Sequence, residues 1–110
     1  GIFNKLAGRV GDSPLLGCGT YGNKYGAVSC TGHGEAIMRT VMAHDAVQFL
    51  QDGAEPHEAA RKAIQNLEQL TGSTGGLIVI DQRGRVGHAR NTTHMPICTI
   101  THAGEITLAA

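Results

Sequence analysis

The chain is 110 residues long, with nine basic and nine acidic side chains, 16 glycines, four aromatics and three cysteines. The even charge balance excludes the basic footprint of a nucleic-acid binder and an acidic tail, and so few aromatics argue against a base-stacking platform. No apolar run approaches the ~18 to 20 residues of a membrane span and no basic-then-apolar segment opens the chain, while the odd set Cys18, Cys30 and Cys98 fits a reducing, cytoplasmic setting better than a disulfide scaffold.

Residues 1–26 are glycine-rich and read as loops with short extended pieces. Gly26 to Thr31 reads as a short buried strand, followed by Gly32-His33-Gly34 and then a helix. From Glu35 to Gln51, Met38, Val41, Met42, Ala46 and Phe49 share one stripe, and Thr40, His44, Gln48 and Gln51 share another. One helix is expected there, ended by Asp52-Gly53 with the glycine as cap. A second helix starts near Pro56, where a missing N–H does no harm. Its core stripe is Ala60, Ala63, Ile64, Leu67 and Leu70, with Glu58 four before Lys62 for a surface pair. The linker Thr71 to Gly76 delivers Leu77-Ile78-Val79-Ile80, an apolar run of the kind found in a strand covered on both faces. Asp81 to Gly84 is a turn and Arg85 to Arg90 the return strand of a hairpin. Ile97 to Thr101 and Glu105 to Leu108 flank a second turn at His102-Ala103-Gly104. This order predicts an α+β protein, with helices packed on a largely antiparallel sheet.

Gly17-Cys18-Gly19-Thr20-Tyr21-Gly22 matches the dinucleotide pattern letter by letter, but that pattern needs its last glycine to open a pyrophosphate-holding helix. Here Asn23 to Gly26 follows, a turn into a strand. The segment is a glycine-rich loop, and no cofactor is expected. No metal site is expected either: Cys98 and His102 lack a second pair at ligand spacing, and His44 and His57 occupy polar, solvated helix positions. Two segments carry more. In Gly8-Arg9-Val10-Gly11-Asp12-Ser13-Pro14, opposite charges three apart share one tight turn. They either pair with each other or receive a zwitterion, Arg9 forking onto a carboxylate while Asp12 accepts from an ammonium. In Ser29-Cys30-Thr31-Gly32-His33-Gly34-Glu35, a strand end runs through two glycines into a helix start. Either its N–H groups serve an anion or developing oxyanion, or the glycines merely permit a sharp turn. Ser29 and Cys30 read as packing residues, because no histidine is placed by sequence to activate them.

Read in order and at this separation, Gly1-Ile2-Phe3-Asn4-Lys5, Gly8 to Pro14, Ser29 to Glu35 and Gly75-Gly76-Leu77-Ile78-Val79 resemble the plant-type asparaginases. These isoaspartyl peptidase/L-asparaginases are N-terminal-nucleophile (Ntn) hydrolases, and the resemblance covers nearly the whole chain. It implies an αββα sandwich made when a precursor cleaves itself into two subunits. Residues 1–110 would be most of the β subunit, not a complete domain alone. The nucleophile would be a threonine at the new N-terminus, with its own α-amine, of unperturbed pKa about 7.7 to 8, as base. By resemblance, Arg9 and Asp12 bind the α-carboxylate and α-ammonium of L-asparagine or a β-aspartyl peptide. Thr31 and Gly32 also contact the substrate and form the oxyanion hole, and Gly11 and Gly34 line the pocket.

The family's β subunit opens with a threonine-led strand and a Thr-Ser-Thr-Gly turn just before the equivalent of Gly1, and neither is in this sequence. The 110 residues alone are therefore expected not to hydrolyse asparagine. The expected partners are the small substrate and the α subunit of the same precursor, in an αβ dimer of dimers, with no nucleic acid and no membrane. Two alternatives stay open: a glycosylasparaginase-type hydrolase, which shares the Gly-Arg-Val-Gly-Asp-Ser-Pro string, and a non-catalytic remnant.

Overall fold

The computed structural model describes residues 4–109; the Gly1-Ile2-Phe3 start of the first motif and Ala110 lie outside them. Strands β1 (Thr20–Asn23), β2 (Gly26–Gly32), β3 (Gly75–Asp81) and β4 (Val86–Arg90) form one antiparallel sheet in the order β1-β2-β3-β4. Between β2 and β3 the chain makes α1 (Gly34–Thr40), α2 (Met42–Gln51) and α3 (Pro56–Thr71). Strands β5 (Ile97–Ile100) and β6 (Ile106–Ala109) form a separate antiparallel pair. The class is α+β, helices on an antiparallel sheet, as the order of elements predicts.

Alternation along the strands turns Val28, Cys30, Leu77 and Val79 into a core with Ile37, Met42, Val47 and Leu67 of the helices. Small side chains let the layers close: Ala59, Ala60 and Ala63 of α3 are buried, and Gly87 of β4 lies directly under the backbone at Pro56 and His57.

The single helix expected over Glu35 to Gln51 is two helices. They break at Val41, whose φ of 44° is in the left-handed region that β-branched residues rarely adopt. The break lets the N–H groups of Ala43 and His44 donate to the carbonyls of Cys18 and Gly17, at 3.0 Å each. The glycine-rich loop thus caps a helix that no side chain caps. It also turns the stripe: Met42 and Ala46 are buried, but Val41 is exposed and Met38 and Phe49 are half-buried, while Ile37, Ala43, Val47 and Leu50 complete the buried face.

In α3 the expected stripe holds through Leu67, but Leu70 is exposed and Ala59 is buried instead. The Glu58–Lys62 pair forms at 3.5 Å. Strand β3 is not covered on both faces by the described residues. Ile78 and Ile80 are 49 % and 43 % exposed, on a groove of about 620 Å³ that Val86 and β5 also line. Strand β2 is likewise buried only at alternate residues. His57 is not merely solvated, since its Nδ1 lies within 3.3 Å of the backbone nitrogen and oxygen of His88 and the two rings meet edge-on. Among the described residues, no helix is long and apolar enough to cross a membrane.

Candidate active site

The loop before β1 folds back on the end of β2 through Asp12. The Asp12 carbonyl accepts from the N–H groups of Leu15, at 3.1 Å, and Gly19, at 3.0 Å. Gly19 in turn accepts from the Cys30 N–H at 2.8 Å, which stitches the loop to the edge of β2. A Cβ at Gly19 would sit 2.5 Å from the Asp12 carbonyl oxygen, and one at Gly34 would sit 3.1 Å from Asp12 Oδ1. Only glycine fits at 19, and its smallness at 34 lets the start of α1 close over the same carboxylate. The result is one pocket of about 200 Å³ lined by Arg9, Gly11, Asp12, Thr31, Gly32 and Gly34, with Lys5 beside them.

Arg9 and Asp12 do not pair with each other. Arg9 Nη2 donates to Glu35 Oε1 at 3.2 Å, and a Cβ at Gly11 would meet Arg9 Nη1 at 3.1 Å. Asp12 is 7 % exposed, and its Oδ2 has no hydrogen-bond partner among the described residues. One pocket therefore holds a cation with spare donors and the Asp12 carboxylate, which accepts no hydrogen bond from the described residues; its Oδ1 faces Gly34 at the pocket and its buried Oδ2 turns onto Gly19.

The second half of the site is the end of β2. Cys30 N–H points to the β1 side, onto Gly19, and His33 N–H to the β3 side, onto Thr74 at 3.1 Å. Alternation along the strand therefore turns the Gly32 N–H to the β1 side, beyond the end of β1 and toward the pocket. Gly32 has a φ of +132°, and a Cβ there would fall 2.5 Å from Gly75 Cα. The Thr31 hydroxyl joins it, with no hydrogen bond to the described residues.

Cys30 lines the pocket, but burial first, and then the negative charge of Asp12 and the Cys18 thiol, push its own thiol up to about 12. It stays protonated at neutral pH and is no thiolate nucleophile. Ser29 lines the groove on the outer face of the sheet, away from this site. Glu35 is held below the usual glutamate range by its own backbone N–H and then by the Arg9 side chain.

The family model described as Asparaginase matches residues 1–109. The chain belongs to the asparaginase family. It is 43 % identical over 96 residues to the plant-type L-asparaginase of Pyrococcus abyssi, 44 % over 85 residues to the isoaspartyl peptidase/L-asparaginase of Danio rerio, and 43 % over 97 residues to the isoaspartyl peptidase of Escherichia coli. Those alignments cover 86 %, 76 % and 86 % of this chain but 32 %, 27 % and 30 % of the relatives. The chain thus spans about a third of the length of the curated relatives it matches.

Sequence reasoning missed three residues that support this asparaginase-family pocket from outside its lining. Gly19 shapes the floor under Asp12, and the close Gly17-Cys18-Gly19 spacing was its signal. Glu35 holds Arg9 from 26 residues away. Asn91 accepts from the Gly75 N–H at 2.7 Å and donates to the Ser73 carbonyl at 3.1 Å, fixing the backbone that Gly32 packs against.

Proposed function

We propose that these residues are the substrate-binding half and the oxyanion hole of an amidohydrolase that cleaves L-asparagine and β-aspartyl peptides. The observation that carries this reading is the separation of charge in one small pocket, the Arg9 guanidinium and, apart from it, the Asp12 carboxylate that no described residue pairs with. A buried, unsatisfied carboxylate oxygen costs about 1–3 kcal/mol or more, and an incoming ammonium offsets that cost. Arg9 keeps free N–H groups for a carboxylate after giving one to Glu35. A free amino-acid head presents both charges on a single carbon, and Gly11 and Gly34 leave room for it.

In this reading the side-chain amide carbonyl lies at Thr31 and Gly32, whose hydroxyl and N–H take the negative charge that forms on attack. The attacking hydroxyl belongs to an N-terminal threonine supplied from outside residues 1–110, with its own α-amine as base. Attack on the amide carbon expels ammonia, or the amine of a β-aspartyl peptide, each leaving with the proton the base received. The β-aspartyl ester that remains is hydrolysed by water. The isoaspartyl peptidase and L-asparaginase names of the relatives support this assignment.

Residues 1–110 are, in the same reading, most of a β subunit, not a complete domain alone. The apolar outer face at Ile78 and Ile80 supports a second sheet closing an αββα sandwich, contributed with the α subunit of the same precursor, in an αβ dimer of dimers. Three free cysteines support a reducing, cytoplasmic setting.

The test compares kcat/KM for L-asparagine with that for asparagine whose α-carboxylate is amidated, in the full-length protein. Losing a charge-assisted contact of about 2 kcal/mol predicts a preference for asparagine of ~30-fold or more. Arg9→Lys keeps the charge but loses the planar fork, so most of that preference should vanish. A ratio near one in the wild type would return Arg9 to a structural role.

A further inference from the structure

Arg9 and Glu35 meet at 3.2 Å across the mouth of the pocket, although they are 26 residues apart and on different elements. Arginine is long and rotamer-rich, and only a second anchor holds its fork in one pose. The Arg9 side chain is 26 % exposed, so the pocket walls alone leave it partly free. Glu35 supplies the anchor from the first turn of α1, and its other carboxylate oxygen, Oε2, lies 3.5 Å from His33 Nε2. Among the described residues, Arg9 and His33 are the charged or titratable groups within ion-pair distance of this carboxylate. The contact uses one N–H of Nη2, leaving the rest of the guanidinium for a ligand.

We propose that Glu35 is a positioning residue for substrate binding: it holds the Arg9 guanidinium in the pose that receives the α-carboxylate, and is itself steadied by His33. The proposal rests on the reading of Arg9 given above. It makes Glu35 act on binding rather than on the chemical step, because its carboxylate touches Arg9 and His33 and not the Thr31–Gly32 end of the pocket.

The experiment is steady-state kinetics with L-asparagine in the full-length protein, for Glu35→Ala, Glu35→Gln, Arg9→Ala and the Arg9→Ala/Glu35→Ala double variant. Misplacing a binding group by a fraction of its reach typically costs ~10-fold or more. Glu35→Ala should therefore raise KM by ~10-fold with kcat within about twofold. Glu35→Gln keeps the acceptor oxygen and should restore most of the loss, which a merely structural role would not do. In the Arg9→Ala background, Glu35→Ala should add nothing, because there is no guanidinium left to place. Glu35 is exposed, so all four proteins are expected to fold, and circular dichroism checks it. An unchanged or lowered KM in Glu35→Ala, alongside a raised KM in Arg9→Ala, would overturn the role of Glu35 and leave the pocket reading standing. An equal KM rise from Glu35→Ala with and without Arg9 would overturn it too. If Arg9→Ala itself leaves KM unchanged, the pocket reading falls and the proposal falls with it.

Discussion

Asp12→Asn separates a binding carboxylate from a structural one, because the two roles move stability in opposite directions. The carboxylate is 7 % exposed, and Oδ2 meets no donor among the described residues. An unsatisfied buried charged group costs about 1–3 kcal/mol or more. Asparagine keeps the shape and removes the charge, so the ligand-free protein should gain about 1 kcal/mol, read as a higher urea midpoint at unchanged slope. Catalysis should move the other way. A substrate ammonium loses its charged partner, at about 2–5 kcal/mol, or ~30- to 4,000-fold in kcat/KM for L-asparagine. Succinamate, which is asparagine without its ammonium, provides the control: wild type and variant should turn it over alike. A destabilised Asp12→Asn with unchanged kcat/KM for asparagine would make Asp12 a loop-closing residue and not a binding one.

Thr31→Val keeps the shape of the β2 end but removes the hydroxyl proposed as one oxyanion donor, so kcat in the full-length protein should fall ~100- to 1,000-fold with KM nearly constant; a shifted KM at constant kcat would make Thr31 a ground-state contact. Gly32→Ala sets a Cβ 2.5 Å from Gly75 Cα at a φ of +132°. Thermal unfolding should show more than the ~1–3 kcal/mol typical of backbone strain alone, and an unchanged Tm would contradict the packing described. His88 is held below its ordinary value of 6.5, by burial first and then by the positive charges of His57 and Arg90. A depressed histidine favours the neutral folded form, so its contribution is intact above about 6.5 and is lost as pH falls through its lowered value. His88→Gln should flatten the fall of Tm with acid, and an identical Tm–pH curve would contradict that.

The charged half of the site was legible because its residues are close in sequence: the turn from Gly8 to Pro14 presents Arg9 and Asp12 together. Their relation was not legible. Whether two charges three apart pair or diverge depends on what each meets in space, here Glu35 for Arg9 and Gly19 for the Asp12 loop. The helical periodicity marked the 35–51 region correctly but could not show the break at Val41, because the cause lies in the carbonyls of Gly17 and Cys18, a non-local cap. The apolar run Leu77 to Ile80 identified a strand, yet one face of it is bare among the described residues. An unbroken apolar pattern reports what a strand is built to meet, not whether the chain itself supplies that neighbour.

A crystal structure of the full-length protein with L-aspartate, the product of the proposed reaction, is the decisive measurement for the roles of Arg9, Asp12, Thr31 and Gly32. The proposed assignment puts the α-carboxylate on the Arg9 guanidinium, the α-ammonium within hydrogen-bond distance of the Asp12 carboxylate, and one side-chain carboxyl oxygen at the Thr31 hydroxyl and Gly32 N–H. Aspartate bound with its two ends exchanged, or bound elsewhere with the Asp12 carboxylate still unmet, would contradict it.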